Sequence, residues 1–553
     1  MRAIVIVQLY KLYLPVIFFV CFHVVAADNL DKYAKEQQRN DSNVLRENKI
    51  KRKDVFSSKR ELIIDNIEVP KDKVCYRINT FALDNDFIND SNIKGVKNKF
   101  SGKCLGINGI RAIAKIIQDY FINAGFVTTR VDIPSQDLTT GKLLLMIMSG
   151  RIERVVIENG DFSPHILPFG EGDILNLRDI EQGLENLQRT PGVDVKINIT
   201  PGSRSGFSNI VIDTHRTKKW SAKANYSNWG DESTGQYLSS ASLYLFNVAG
   251  ISDVGYLSGV SSVAGDYKNI TAWYSFPYGF WDYEFIYSTS FSNQNIPIAD
   301  WSYDYIGRNK YYSFKSSRLL FRDMSKKVSA SVESFGRKAD YEFGGIKLVM
   351  QKRDMNNVKL ALNYIQGFDG ASLDSTLSWQ RFVKWPDGNE TPDMLSGDVD
   401  SASHIFNLNV NYLKALELAS RPGWYEMTFG AQYSPASLTI QDQFNIGNRW
   451  NVRGFENSSG IDAINGFYIR NTFNFTTAFS GLTTFFGADY GQVGGSATTQ
   501  QMYGGDKLIG VTGGVKGNVH SLGYELSLAL PVLHPSKMIV DDFTANFNIS
   551  YQL

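Results

Sequence analysis

From Trp220 onward the chain alternates between apolar and polar residues with a period of two. Trp281, Tyr283, Phe285 and Tyr287 interleave with Asp282, Glu284, Ile286 and Ser288. Tyr524, Leu526, Leu528 and Leu530 interleave with Glu525, Ser527 and Ala529. The final stretch places Ala545, Phe547, Ile549, Tyr551 and Leu553 on one face, and Thr544, Asn546, Asn548, Ser550 and Gln552 on the other. Side chains of a strand point alternately to its two faces, so each stretch predicts a strand with one apolar and one polar side. Gly, Asn, Asp and Ser mark the breaks, as turn chemistry requires. A soluble sandwich also alternates, but it has no need of so many aromatic residues on the apolar face. Lipid outside and a wet lumen inside account for both features. About 334 residues, at about 21 for each strand and turn, predict about sixteen strands.

The preceding part follows another pattern. Ile110, Ile113, Ala114, Ile117 and Phe121 recur at helical spacing, with Asn108 as expected N-cap and Gly125 at the C-terminal end. With a strand pattern opening at Cys75 and strands over 126–133 and 142–148, residues 74–149 form a small α+β module. Residues 150–216 repeat the layout. A strand over 151–157 precedes a helix marked by Leu177, Ile180, Leu184 and Leu187, then Pro191-Gly192 and strands over 193–199 and 208–214. Residues 1–27 have the form of a secretory signal: Arg2 and Lys11, a short apolar core from Leu12 to Val25, and small residues at Val25 and Ala27. Residues 28–50 are polar, with Tyr33, Gln37, Val44 and Leu45 on one face of a short helix. The basic run from Lys49 to Lys53 leads into a solvated linker, 51–73.

Composition narrows the class. The 553 residues are 13% aromatic and include 47 Gly, with a net charge of +1. Mean hydropathy is -0.22. This is too aromatic for disorder and too polar for a bundle of membrane helices. The balanced charge offers no bulk attraction for nucleic acid. Loss of the signal removes Cys21 and leaves Cys75 and Cys104, an even pair in an exported chain, which predicts one disulfide. The competing metal-pair reading lacks a supporting His or second Cys pair. No G-x-x-x-x-G-K-[ST] run is present, and His165, His215, His404, His520 and His534 form no recognisable nucleophile arrangement. The expectation is a non-enzyme without cofactor or metal.

Candidate chemistry comes from the connections. Hairpins counted back from the C-terminus give strands over 520–530, 508–516, 482–493 and 466–475. The Gly-, Asn- and Arg-rich stretch 445–455, with Val452, Arg453, Gly454 and Phe455 at its end, then belongs to a long connection that begins on the outer side. Its tip either stays outside or folds back into the lumen. If Asp489 faces inward, so do Phe485, Gly487 and Gly491, while Phe486, Ala488 and Tyr490 face lipid. A carboxylate between two glycines leaves room for an incoming loop and offers Arg453 a bidentate partner. The alternative is a solvated Asp on a porin-like wall.

These residues resemble a known family, the outer-membrane transporters of two-partner (type Vb) secretion, also called TpsB or hemolysin-activator (ShlB/FhaC/HecB) proteins. Val452-Arg453-Gly454-Phe455 is similar to the family's VRGF loop motif, and 485–491 to its F-x-x-x-D-x-G strand. Gly102-Lys103-Cys104-Leu105, 125–130 and Gln136-Asp137-Leu138 resemble its first POTRA module, and Asn228-Trp229-Gly230 with 234–237 its opening barrel strands. Two departures are Leu553, where such barrels usually end in Phe or Trp, and Asn448, where a second glycine is common. The resemblance implies a membrane β-barrel of about sixteen antiparallel strands over 217–553 with a lumen-inserted loop at 436–465. It also implies two periplasmic POTRA domains, 74–149 and 150–216, and a plug helix at 28–50. The implied function is passive outer-membrane translocation of a large exoprotein (adhesin, hemolysin or contact-dependent inhibition toxin) captured by the POTRA domains. Outer-membrane lipid and lipopolysaccharide would surround the barrel, with no nucleic-acid partner. The alternative within the superfamily is a barrel assembly and insertion factor.

Overall fold

The computed structural model describes Val55, Pro70 and residues 72–84, 91–385, 388–418, 420–456, 460–494 and 503–553. The expected signal (1–27) and plug helix (28–50), and most of the expected linker (51–73), lie outside the described residues.

The period-two pattern closes on itself. Sixteen antiparallel strands, from Trp220–Ser227 to Thr544–Gln552, form one closed barrel in which the last pairs with the first. A two-residue extension, Ile346–Lys347, folds back on Lys326–Phe343. No described helix is long and apolar enough to cross a membrane; the crossing is made by strands. Phe285, Tyr287, Leu526 and Leu528 lie on the exposed outer face, while Glu284, Ser288 and Ala529 point inward and are buried. Outer rings pack across neighbouring strands, with centroids 4.9 Å apart for Phe285 and Phe314 and 5.1 Å for Phe473 and Phe486. Crossing a bilayer takes about 9–11 strand residues. Trp301–Arg322 has 22, so this part of the wall projects beyond the membrane. Beyond Glu284, a stretch of the lumen side of the third to fifth strands is lined by small neutral residues: Ser258, Asn269, Thr271, Ser288 and Ser290 are all buried.

The first soluble module is a three-stranded sheet with Lys142–Met148 between Thr80–Asp84 and Arg130–Asp132. Helix Ile107–Asn123 packs Ile110, Ile113, Ile117 and Phe121 on Leu143 and Leu145. Cys75 and Cys104 are joined as a disulfide. Three local expectations need correction. A second helix, Ser91–Phe100, is present, and Val96 and Phe100 of it are buried in the module core. The strand expected over 126–133 is only Arg130–Asp132, because 126–129 form a turn closed by Thr129 N–H on the Phe126 carbonyl. Asn108 is not the N-cap. Gly106 holds that position, and the capping oxygens come from Asp72, whose Oδ2 accepts from the N–H groups of Asn108 and Gly109 at 3.1 Å each. A carboxylate at a helix N-terminus satisfies orphan donors whichever segment supplies it.

The second module places Phe207–Arg216 between Arg151–Glu158 and Val193–Pro201. Its helix, Leu177–Gln188, starts where the Asn176 side chain accepts from Arg178 N–H at 2.8 Å. The modules are joined directly: Leu177 N–H donates to the Gly125 carbonyl at 2.8 Å, and Val127 packs on the second core. This module sits on the turns at one end of the barrel. Gly279 N–H donates to His165 carbonyl at 3.0 Å, Asn186 Nδ2 to Gly279 carbonyl at 2.8 Å, and Ser163 N–H to Gly250 carbonyl at 2.7 Å. The end bearing these turns is the periplasmic one.

Candidate functional site: an arginine loop on the lumen wall

Asn451 organises the tip of the connection between Arg421–Tyr433 and Asn465–Thr476. Its Oδ1 accepts from the N–H groups of Gly447 (2.9 Å), Asn448 (3.1 Å) and Val452 (2.6 Å), and its Nδ2 donates to the Asn445 carbonyl at 2.9 Å. Asn448 adds its own brace, its Oδ1 accepting from Trp450 N–H at 2.8 Å. The tip rests on a short hairpin, Phe444–Ile446 with Ile461–Ala463. Ile446, Val452, Phe455 and Ile461 form an apolar cluster with Tyr468, Val493 and Leu508 of the wall. The loop is therefore docked inside the barrel by packing as well as by charge.

Arg453 and Asp489 meet as a fork on a carboxylate: Nε to Oδ2 at 2.6 Å and Nη2 to Oδ1 at 2.7 Å. Oδ2 also accepts from Arg453 N–H at 3.1 Å, and Oδ1 from Asn471 N–H at 3.2 Å. Nη2 donates further to the Asn471 carbonyl at 2.9 Å. Side-chain exposure is 6% for Arg453 and 0% for Asp489, so both charges depend on this geometry for solvation.

Glycines make the approach possible. A Cβ at Gly487 would collide with Arg453 Nη2, one at Gly491 would lie 2.8 Å from Val452 Cγ2, and one at Gly510 would strike the Arg453 carbonyl oxygen. Gly454, at φ +97°, lies where a Cβ would come within 2.7 Å of the Leu530 backbone. Phe485 is buried on the same strand and packs over Gly514. All four motif residues of the loop and all four of the strand are thus brought into one site.

Several contributors escaped the sequence reading. Arg470 is the cross-strand neighbour of Asp489, so a second guanidinium faces the lumen beside the pair. Glu456 Oε2 accepts from Gly454 N–H at 2.8 Å and from Thr544 Oγ1 at 2.7 Å, linking the loop to the last strand. Arg449 lies over the Trp229 ring at 3.4 Å, linking it to the segment after the first. The one available signal was density: four of 445–453 are Asn or Gly and two are Arg, more polar groups than a solvated turn requires.

Residues 206–517 match the family model described as haemolysin secretion/activation protein ShlB/FhaC/HecB. Residues 77–150 match the ShlB-type POTRA domain and 151–201 a further POTRA domain. The chain is 28% identical over 516 residues to the outer membrane transporter CdiB-2 of Burkholderia pseudomallei (strain 1026b), covering 88% of this chain and 87% of that one. It is 27% identical over 400 residues, 71% of each chain, to the hemolysin transporter protein ShlB of Serratia marcescens. In fold it is similar to the structure of CdiB from Escherichia coli, with a TM-score of 0.82 and 22% identity over 95% of this chain and 99% of that one. With more than half of its length in the family match, the chain belongs to the haemolysin secretion/activation (ShlB/FhaC/HecB) family of outer-membrane transporters.

Proposed function

We propose that this chain carries one large exoprotein from periplasm to cell surface as the outer-membrane half of a two-partner secretion system. The POTRA modules, on the periplasmic side, capture the extended substrate by edge pairing, which uses main-chain hydrogen bonds. The chain has no nucleotide-binding motif, so directionality comes from folding outside. The cargo is an adhesin, hemolysin or contact-dependent toxin, and the relative named hemolysin transporter protein ShlB supports the hemolysin among these. In this reading residues 28–50 plug the resting pore, and the loop at 436–465 sets its conformation. The observation that carries the proposal is the buried Arg453–Asp489 fork, which holds a loop inside a barrel that also bears POTRA modules. The POTRA modules are what set the barrel apart from a plain porin. The test is exoprotein in the medium of cells lacking the chain, complemented with wild type or with Arg453→Ala at matched barrel levels. Wild type should restore secretion and the variant should not; equal secretion by both would overturn the role given to the loop.

A further inference from the structure

The helix Leu177–Gln188 turns one charged face toward the barrel end. Arg178, Glu181, Gln182, Glu185 and Arg189 recur at three- and four-residue spacing, which places them on one side. Against them lie Arg322, at the end of the sixth barrel strand, and Lys327, near the start of the seventh. Arg322 Nη1 meets Glu185 Oε1 at 2.9 Å and Gln182 Oε1 at 3.0 Å, and Nε meets Glu181 Oε2 at 3.3 Å. Lys327 Nζ meets Glu185 Oε2 at 3.0 Å. Arg322, Lys327, Glu181 and Glu185 all have side chains no more than 9% exposed. Burying so many charges is costly, and an apolar contact would fasten the module more simply.

What the cluster holds explains its chemistry. Glu185 Oε1 accepts from the N–H of Val55 at 2.6 Å, and Arg322 Nη2 donates to the Val55 carbonyl. Both contacts are to the main chain. An acceptor and a donor grip the two groups that every residue except proline presents, as a strand edge does, but at one position and with charged partners. Each ion is already matched within the cluster, so the ligand it suits is neutral and dipolar. We propose that Glu185, Arg322 and Lys327 form a main-chain clasp for an extended polypeptide at the periplasmic mouth. At rest the chain's own residue 55 occupies it, and during transport the main chain of the exoprotein takes that place. This rests on the transport reading.

The clasp is tested by photo-crosslinking with p-benzoylphenylalanine at Gln182, in full-length protein in the outer membrane of its native host. The probe is the host's secreted exoprotein, arrested in the pore by an engineered disulfide-closed loop near its C-terminus. Resting transporter should crosslink internally, to the segment around residue 55. Jammed transporter should crosslink to the exoprotein, with the internal product falling at least about five-fold. An unchanged internal product in jammed transporter would overturn the clasp. The same photoreactive group at Ser290, on the lumen wall, separates the two readings: if it too captures no jammed exoprotein, transport through the lumen fails rather than the clasp. Should the probe at Gln182 disturb the site, two variants decide. Glu185→Leu removes the acceptor and should lower secretion about ten-fold or more, and Glu185→Gln keeps it and should recover most of the loss. Normal secretion by Glu185→Leu would sink the proposal.

Discussion

The lumen-wall fork and the periplasmic clasp are both buried clusters of Arg and carboxylate, yet they are built in opposite ways. At the wall, one Arg on a loop meets one Asp on a strand, and glycines clear the path between them. At the mouth, Glu181 is shared between Arg178 and Arg322, and Glu185 between Arg322 and Lys327. A shared network tolerates the loss of one member because the remaining charges keep a partner. At the fork, Arg453 is the member that carries the loop, so its loss removes the charged hold and leaves the loop to its apolar packing. The wall site has the form of a two-position element, whereas the mouth has the form of a permanent joint around an exchangeable guest.

The largest effects should come from the fork. Arg453→Ala and Asp489→Ala should each cost about 3–5 kcal/mol of loop docking and nearly abolish secretion, while the barrel still inserts and remains heat-modifiable on gels. The double variant should be less than additively worse, and strict additivity would dissolve the pairing. Arg453→Lys should rescue only in part, because an ammonium cannot form the fork. Next comes Gly487→Ala, which keeps both charges but puts a methyl where Nη2 lies. Secretion close to wild type in this variant would show that the loop has another way to dock.

At the mouth, Arg322→Ala should cost about 1–3 kcal/mol, less than either fork variant, since Arg178 and Lys327 still neutralise Glu181 and Glu185. Faster hydrogen exchange confined to residues 177–188 would register it; a loss as large as that of Arg453→Ala would erase the distinction between network and fork. The smallest effect concerns Asp179. Burial, with the negative charge of Asp173 beside it, pushes this carboxyl up to about 6 despite the pull of Arg322. The folded module thus holds a proton that the unfolded chain, at the ordinary value of 3.8, has released. The stability this lends is complete below the lower value and lost as pH rises through the upper one. Asp179→Asn should raise the melting temperature by a few degrees at about pH 7.5 and leave it nearly unchanged at about pH 3.5. Equal shifts at both would assign the gain to something other than the proton.

The same contrast explains how much was legible. Alternation from Trp220 onward foretold the barrel because lipid and lumen impose opposite demands on successive residues. Asp489 between Gly487 and Gly491 was legible because both the charge and the space for its partner lie on one strand. Arg470 was not, since its pairing opposite Asp489 depends on register across a turn. The mouth was hidden for a related reason. Glu181 and Glu185 lie on a helix that its apolar positions alone announced, and Arg322 and Lys327 arrive about 140 residues later from a barrel turn. Asp72 likewise caps a helix from within an expected linker, which no local pattern announces.

Arg470 bears on what the wall looks like once the loop has gone. With the loop docked, Arg453 forks on the Asp489 carboxylate and Arg470 stands opposite it across the strand pair. When Arg453 withdraws, Asp489 still faces a cation on the neighbouring strand. The vacated wall therefore keeps an opposite charge beside the uncovered carboxylate, so a polypeptide entering the lumen does not meet Asp489 as an isolated trap for basic residues. Asp489→Ala leaves the opposite situation, a wall on which Arg470 has lost the carboxylate across from it. The one carboxylate thus belongs to the loop while it is docked and to the wall once it has left.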